Sequence, residues 1–301
     1  MSGMHRVLLR GIAALLCAPR LYAQPVPARD LWEFPLGAVL EPAALAAEPS
    51  AGLWNPAGGT LRAGERFRVG VASLAAGAAQ SVDGQLLSIA MRRSGGTTLG
   101  LSLARTSVAG LVRTDTDPQA VGDVIYASLL VSGSASRELL PHLTGGVAVR
   151  WREGRADREV NHAVAADLGM VLHDLPILNA RVAASSFLWR PGREIDDRPA
   201  FLAAADVRVR GSSELDEVRA GYSHNGVNRG AREQGPFVSA RFHRVEGRAA
   251  YLRTEAGART VSRLRSGLVL YYARYVVGIG REEGASGLGP LYQFTLSSVL
   301  R

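Results

Sequence analysis

The chain has 301 residues and a formal net charge of +8, and every one of its 35 basic residues is arginine. The arginines are scattered along the chain rather than clustered in a tail or patch, which argues against a nucleic-acid partner. After residue 23 no run of about 18 apolar residues occurs, so a membrane helix is excluded and any membrane crossing would use strands.

Residues 1–23 have the order of a secretory signal peptide. A basic start precedes the apolar stretch "GIAALLC", and the small residue Ala23 precedes "QPVPAR". We expect cleavage after Ala23; the alternative is a buried N-terminal helix. Cys17 is the only cysteine and would leave with the signal, which gives an exported protein without disulfides. A lipoprotein site at Cys17 is disfavoured because Leu16 is too large for the residue before it.

From residue 65 onward, apolar residues recur with a period of two in runs of about ten residues, which predicts strands. In "LTGGVAVRW" the apolar Val147, Val149 and Trp151 alternate with Thr144, Ala148 and Arg150. The predicted strands are 66–75, 83–93, 97–106, 122–133, 143–151, 160–172, 179–189, 201–210, 214–224, 235–244, 245–254, 259–270, 272–282 and 289–301. Their even number and length are typical of an outer-membrane barrel.

Periodicity alone also permits a soluble β-sandwich, which buries its apolar face and wets the other. Two features favour the membrane barrel. Short connections such as 94–96 and 211–213 alternate with longer ones such as 107–121 and 190–199. Aromatic residues also fall near strand ends or on the apolar face, as in a membrane girdle; they are Trp151, Trp189, Tyr222, Tyr251 and Tyr275. The predicted fold is an all-β transmembrane antiparallel β-barrel of about 14 strands.

The face opposite the apolar one carries many arginines. An arginine facing lipid at the bilayer midplane costs roughly 2–4 kcal/mol, so we expect these side chains inside the barrel. The predicted lumen-facing charges are Arg150, Arg152, Arg208, Arg263 and Arg265, with Asp167 and Asp206 as partial counter-charges. The excess positive charge favours anions or a small molecule with a carboxylate head.

Three stretches together resemble a known family. The first, at residues 48–59, is Glu48, Ser50 and Ala51 followed by Trp54, Asn55, Pro56, Ala57 and Gly58. The second is "AVAADLGMVLHDLPILNARVAAS", and the third is "LVLYYARYVVGIGREEGASGLGPLYQFTLSSVL" at the end of the chain. In this order they resemble the FadL-like outer-membrane proteins, in particular the PorV/PorQ branch, over residues 36–301.

The resemblance implies that residues 24–64 fold into the lumen as a plug and that residues 65–301 form the barrel. Trp54, Asn55, Pro56 and Ala57 would fix the plug and lie close to a ligand. The residues fit this, because Pro56 restricts φ and biases Asn55 to an extended backbone, and the Asn55 amide can bond nearby backbone. A barrel this wide is not filled by its own small side chains. The alternative is a surface turn that leads into the first strand.

Two departures from the family pattern stand out. The chain ends in "SSVLR", with Leu300 where an assembly signal usually has an aromatic residue. The external loops are also shorter than those of a fatty-acid transporter.

Neither catalysis nor a cofactor is expected. His162 and Ser186 lie on neighbouring predicted strands, but a girdle or lipid-facing histidine is the simpler interpretation. The six histidines lack metal-ligand spacing along the chain, so no metal site is expected. Asp115, Asp117 and Asp123 are compatible with a Ca²⁺ loop, although a solvated acidic loop is favoured.

Three functional classes remain. The resemblance implies a barrel that transports hydrophobic or amphiphilic small molecules across the bacterial outer membrane, with membrane lipid as its surroundings. The alternative is a PorV-like barrel that docks exported proteins or a secretion machine. A lesser alternative is an outer-membrane lipid hydrolase.

Overall fold

The computed structural model describes residues 26–46, 49–62, 64–77, 81–114, 120–176, 178–189, 200–213, 216–226, 232–256, 259–283 and 289–300. The predicted signal peptide and its cleavage site lie outside these residues. The strands are β1 (Phe67–Ala76), β2 (Val82–Arg92), β3 (Thr98–Val108), β4 (Val112–Thr114), β5 (Ala120–Asp123), β6 (Tyr126–Leu140), β7 (Leu143–Ala156), β8 (Glu159–Leu175), β9 (Ala180–Phe187), β10 (Ala200–Ser213), β11 (Asp216–Gly226), β12 (Arg232–Phe242), β13 (Val245–Ala256), β14 (Arg259–Tyr272), β15 (Tyr275–Glu282) and β16 (Leu291–Leu300).

Fourteen of these strands form one closed antiparallel barrel. Each pairs with the next along the chain, and β1 closes the ring against β16 with Phe67 opposite Leu300. The strands β4 and β5 form a separate two-stranded hairpin within the connection from β3 to β6. The predicted fold class is confirmed, and the strand count is 14.

Side chains alternate strictly between the two faces of the wall. On the outside, Val147, Leu168 and Leu268 are all more than half exposed. On the inside, Thr144 and Ala148 are buried, as expected from the alternation in "LTGGVAVRW". An apolar outer face and a polar inner face are the pattern of a transmembrane barrel rather than a sandwich.

Exposed aromatic side chains form two belts on the outer face. Phe242, Tyr272 and Tyr275 lie beside the turns at the end of the barrel where the chain enters and leaves. Trp151, Tyr222, Tyr251 and Tyr292 lie nearer the other end. The belts place the expected girdle residues at the two edges of an apolar zone. Trp189 instead lies in the connection after β9, where it is half-buried.

The two ends of the barrel differ in their connections. At the end that holds both termini, the strands are joined by 93–97, 141–142, 176–179, 214–215, 243–244 and 273–274. At the opposite end the connections include 109–125, 188–199 and 283–290. The short-turn end has the character of a periplasmic end, and the long-connection end that of an external one.

The sequence misplaced some details of the strands. Residues 122–123 belong to the short strand β5, and β6 begins only at Tyr126. The turn between β14 and β15 consists of Ala273 and Arg274, and Ala273 adopts a left-handed backbone with φ of 52°. Such turns usually carry Asn-Gly or Asp-Gly, so this one left no turn signal in the sequence.

Helical structure is confined to a few short segments before β1. These are the 3₁₀-helices η1 (Arg29–Glu33), η2 (Ala43–Leu45) and η3 (Pro56–Gly59) and one turn of α-helix, α1 (Ala51–Trp54). Among the described residues, none of the helices has the length and hydropathy that a membrane span requires.

The outer face can be tested with a charge placed at two depths. Leu268 is exposed on β14 between Tyr272 at the strand end and Leu264, which pairs with Tyr251 of the second belt. We expect Leu268→Arg to lower the free energy of unfolding in lipid bilayers by about 2–4 kcal/mol and Tyr272→Arg, in the belt, by about 0–1 kcal/mol. Reversible urea unfolding in vesicles measures both. Equal effects, or stabilisation by Leu268→Arg, would contradict a lipid-facing surface.

Candidate functional site

Residues 26–46 and 49–62, called here the N-terminal segment, pack against the inner face of the barrel. The side chains of Trp32, Leu36, Val39, Leu53 and Trp54 are buried. They form one apolar cluster with inward residues of the wall, which include Leu74, Leu86, Leu130, Ala165 and Leu202. The interior of the barrel is thus the hydrophobic core of the molecule, and the N-terminal segment supplies its largest side chains.

The Asn-Pro-Ala turn is the most tightly bonded part of the N-terminal segment. Asn55 has an extended backbone, with φ of −133° and ψ of 110°, as expected of a residue before proline. Its Oδ1 accepts from the Ala57 N–H at 3.0 Å and so caps η3, with Pro56 at the first helical position. Its Nδ2 donates to the Ala44 carbonyl at 2.8 Å and to the Met170 carbonyl at 3.3 Å. One fully buried side chain therefore ties the turn both to the preceding segment and to β8.

Two paired glycines of the wall make room for this turn. Gly146 of β7 and Gly169 of β8 are directly opposite each other in the ladder and face inward. A methyl group at Gly169 would overlap Asn55 Oδ1 and Pro56, and one at Gly146 would overlap the backbone of Pro56 and Ala57. The turn lies flat on the backbone of the wall, which only residues without a Cβ permit.

The same arrangement recurs on the other side of the barrel. Leu40 of the N-terminal segment points at β14 and β15, where a Cβ on Gly267 or on Gly280 would meet its methyl groups. The close fit at two separate places of the wall fixes the segment in one position.

Polar contacts join the N-terminal segment to strands around the barrel. Trp32 Nε1 donates to Ser128 Oγ at 2.9 Å on β6, and Thr60 Oγ1 donates to Ser136 Oγ at 2.7 Å on the same strand. Glu41 forms an ion pair of 2.9 Å with Arg248 on β13. These bonds satisfy buried polar groups of a segment that has almost no regular secondary structure.

The predicted lumen charges all lie on the inner face of the wall. Arg150 and Asp167 form a fully buried ion pair between β7 and β8, and the Arg150 guanidinium lies 4.9 Å from the centre of the Phe187 ring. Asp206 accepts from Arg181 and Arg219 on the two flanking strands. Arg152 donates to the Val26 carbonyl at 3.1 Å, which links β7 to the start of the N-terminal segment.

The remaining predicted arginines pair with glutamates that sequence reasoning missed. Arg208 bonds Glu217 at 2.9 Å. Arg263 and Arg265 share two carboxylates, Glu282 at 2.8 and 2.5 Å and Glu233 at 3.6 and 3.1 Å, respectively. This four-residue group has no net charge, so the excess positive charge expected at Arg263 and Arg265 is neutralised within the wall. The strand register brings the partners together, and neither spacing nor composition signals them.

Asp167 also organises the connection after β9. Its carboxylate accepts the backbone N–H groups of Leu188 at 3.1 Å and Trp189 at 3.0 Å. The ladder between β8 and β9 ends at the pair Gly169 and Ser185, and the Leu168 N–H bonds to the Ser186 hydroxyl instead of a backbone carbonyl. The Arg150–Asp167 pair thus fixes the connection after β9 at the point where the regular pairing of β8 with β9 ends.

An amphiphilic pocket lies beside this point, between the N-terminal segment and the strands β9 and β10. The cavity in it that solvent can occupy has a volume of about 40 Å³. Its apolar lining includes Trp32, Trp54, Phe187, Leu188, Ala200 and Leu202. The Trp54 and Phe187 rings pack with their centres 4.6 Å apart and their planes tilted by 32°, so one wall of the pocket is aromatic. Charged side chains line the remainder; they are Arg29, Glu33, Glu233 and Arg265. This is room for a few water molecules, so a larger ligand requires the segment and the wall to move apart.

The candidate catalytic residues His162 and Ser186 are not brought together. His162 stacks on Trp151 on the outer face at 5.3 Å and lies 3.6 Å from Glu153, whereas Ser186 bonds Asp167 and the backbone of Leu168. Asp115 and Asp117 lie outside the described residues, and Asp123 ends β5. The absence of an enzymatic activity stays a prediction.

Neither a family model nor a curated protein matches the sequence. Solved structures do resemble the fold. The Pseudomonas putida toluene transporter TodX aligns with a TM-score of 0.56 at 11% identity, over 92% of this chain and 98% of that one. A TodX deletion mutant described as a monoaromatic hydrocarbon channel gives 0.56 at 10% identity, over 84% and 94% of the two chains. A Pseudomonas aeruginosa FadL homologue gives 0.52 at 11% identity, over 92% and 98%.

These likenesses concern the fold. The FadL-like part of the resemblance noted in the sequence is confirmed at that level. The PorV/PorQ branch stays a prediction.

The fit of the N-terminal segment onto the wall can be tested at Gly169. Gly169→Ala places a methyl group against Asn55 Oδ1 and Pro56, and overpacking of this kind costs about 1–3 kcal/mol. We expect faster hydrogen exchange in residues 51–60 and a lower unfolding temperature. Gly133→Ala is the matched control, since a Cβ at Gly133 on β6 meets nothing within 4 Å. Unchanged exchange in the Gly169 variant would show that the turn does not lie against β8.

Proposed function

We propose that this protein is a bacterial outer-membrane transporter of hydrophobic small molecules. The observation that carries the proposal is the amphiphilic pocket between the N-terminal segment and the wall, on a fold similar to that of TodX and a FadL homologue. The apolar outer face with its two aromatic belts supports a location in the membrane. The uneven lengths of the connections support the orientation of an outer-membrane barrel.

The lining of the pocket favours an apolar or aromatic ligand. Trp32, Trp54 and Phe187 offer ring surfaces for stacking, and Leu188 and Leu202 offer aliphatic surface. The one wall arginine in the lining, Arg265, is already bonded to Glu233 and Glu282, so it offers a carboxylate head little net charge. A hydrophobic molecule without a carboxylate is therefore the substrate class that the contacts favour.

The N-terminal segment is proposed to occlude the lumen as a plug and to form part of the binding surface. Its own Trp32, Pro35, Ala38, Ala43 and Trp54 line the pocket together with the strands. A substrate that enters from the long-connection end would meet the pocket before the Asn-Pro-Ala turn, which lies deeper against β7 and β8. Transport then requires a shift of the segment against the wall.

The transport proposal can be tested by filling the pocket. Ala200 begins β10 and lines the pocket, whereas Ala203 on the same strand faces outward. We expect expression of the protein in a Gram-negative host to raise the initial rate of radiolabelled toluene uptake, and Ala200→Trp to remove most of the gain. Ala203→Trp, which adds the same side chain to the lipid face, should leave uptake unchanged.

The same experiment separates the alternatives. Uptake no faster than in cells without the protein, or equal uptake by wild type and Ala200→Trp, would contradict the transport proposal. Uptake of octanoate in preference to toluene would favour a small molecule with a carboxylate head as the substrate. A stable complex with exported proteins, together with unchanged toluene uptake, would favour the docking barrel of the PorV-like alternative.

A further inference from the structure

We propose that the turn between β6 and β7 and the end of β8 form a binding site for a first-row divalent metal ion such as Zn²⁺. The ligands are His142 in the turn and His173 and Asp174 at the end of β8. One nitrogen or oxygen atom from each lies within 4.8 Å of the other two. The histidines are 31 positions apart in the chain, and strand pairing alone makes them neighbours.

The backbone fixes the spacing of the two histidines. His142 has a left-handed backbone with φ of 70°, which ends the tight turn directly before β7. The His173 N–H donates to the His142 carbonyl at 2.9 Å, and the ladder continues from there with Leu143 opposite Leu172. The imidazole rings lie edge to face with their centres 6.1 Å apart. Backbone hydrogen bonds thus hold His142 and His173 close together without an ion.

The carboxylate is oriented by a second contact. Asp174 Oδ2 lies 2.9 Å from His173 Nδ1, and the two atoms share a proton. With the Asn179 amide turned to satisfy both of its neighbours, Nδ2 donates to Asp174 Oδ1 at 3.1 Å and Oδ1 accepts from Arg208 at 3.0 Å. Outer contacts of this kind orient ligands in metal sites. An ion between His173 and Asp174 would replace the hydrogen bond between them, and the neutral His173 ring would then carry its proton on Nε2.

The donor set selects the class of ion. Two imidazoles and one carboxylate suit Zn²⁺, Ni²⁺ or Cu²⁺, whereas Mg²⁺ and Ca²⁺ prefer oxygen ligands alone. Bonds of about 2.0–2.2 Å in a tetrahedral site put neighbouring ligand atoms roughly 3.5 Å apart, so His142 must approach the other two by about 1 Å while His173 and Asp174 separate by roughly 0.5 Å. His142 and Asp174 are exposed and His173 is half-buried, so rotation about their side-chain bonds supplies this movement. The fourth position is open to water.

The surroundings limit the affinity without blocking the site. Arg62 of the N-terminal segment acts electrostatically on Asp174, and Arg208 bonds the Asn179 that holds it. These arginines oppose a cation, while the Asp174 carboxylate and the neutral imidazoles attract it. The site lies at the short-turn end of the barrel, where an ion would crosslink the turn between β6 and β7 with the end of β8.

The test uses the full mature chain without a polyhistidine tag, refolded in detergent and freed of metal with a chelator. Competition with a zinc-sensitive dye measures binding of ZnCl₂. We expect one equivalent to bind, with affinity lowered at least tenfold by His142→Asn and by His173→Gln. X-ray absorption should show nitrogen and oxygen ligands with two imidazoles in the wild type and one in each variant.

His243 supplies the matched control, because it lies at a tight turn at the same end and 3.3 Å from Asp216 but is not grouped with a second histidine among the described residues. His243→Asn should bind zinc as the wild type does. The gel shift between unheated and boiled samples confirms that each variant is folded. Absence of stoichiometric binding by the wild type, or equal binding by the wild type and the folded His142 variant, would overturn the proposal.

Discussion

The structure depends on one constraint, which is that a closed ring of 14 strands encloses more space than its own small inward side chains can fill. The inner face is rich in Gly, Ala and Ser, and the N-terminal segment adds the two tryptophans of the core, Trp32 and Trp54, to the leucines and the Phe187 that the wall supplies. The segment gains burial that it could not find as a surface chain, and the barrel gains a packed interior. Gly146 and Gly169 under the Asn-Pro-Ala turn, and Gly267 and Gly280 under Leu40, are where the two surfaces meet most closely.

The same constraint explains the paired charges of the wall. With the segment packed against the inner face, inward arginines such as Arg150 and Arg265 are almost fully buried. A buried charge is strongly destabilising without a partner, and here each has a carboxylate on a neighbouring or nearby strand. The arginines therefore serve primarily to pair with carboxylates within the wall. The packing of segment against wall is incomplete at the pocket beside Trp54 and Phe187.

The sequence was sufficient to predict the wall. The alternation of apolar residues with a period of two is a pattern within single strands. Long runs of it, such as the one ending at Trp151, show which side chains face outward. Contacts that depend on the strand register could not be predicted from the sequence. Glu233 meets Arg265 over 32 positions, and His142 meets His173 only because β7 pairs with β8. The hairpin of β4 and β5 was missed because strands of three and four residues carry too few alternations. The turn at Ala273 was missed because tertiary context holds an alanine in a left-handed conformation.

The candidate site was predictable in part. The Asn-Pro-Ala turn has a local cause in Pro56 and the Asn55 amide, so its conformation follows from the sequence. The place where the turn packs on the wall does not follow from the sequence. The role of the inward glycines of β7 and β8 becomes apparent only from their contacts with the segment. The pocket likewise joins residues of the segment to Phe187 and Leu202, which are more than 130 positions further along the chain.

The measurement that tests this account most directly is disulfide trapping between the N-terminal segment and the wall. Thr60 Oγ1 and Ser136 Oγ are 2.7 Å apart, and the chain without its predicted signal peptide has no cysteine. The double variant Thr60→Cys/Ser136→Cys should form an intramolecular disulfide in folded barrels, detected by mass spectrometry of the linked peptides. The control Thr60→Cys/Ser128→Cys, whose wall position faces inward on the same strand about 26 Å away, should stay reduced. No disulfide in the first variant, or equal yields in both, would contradict a segment fixed inside the barrel.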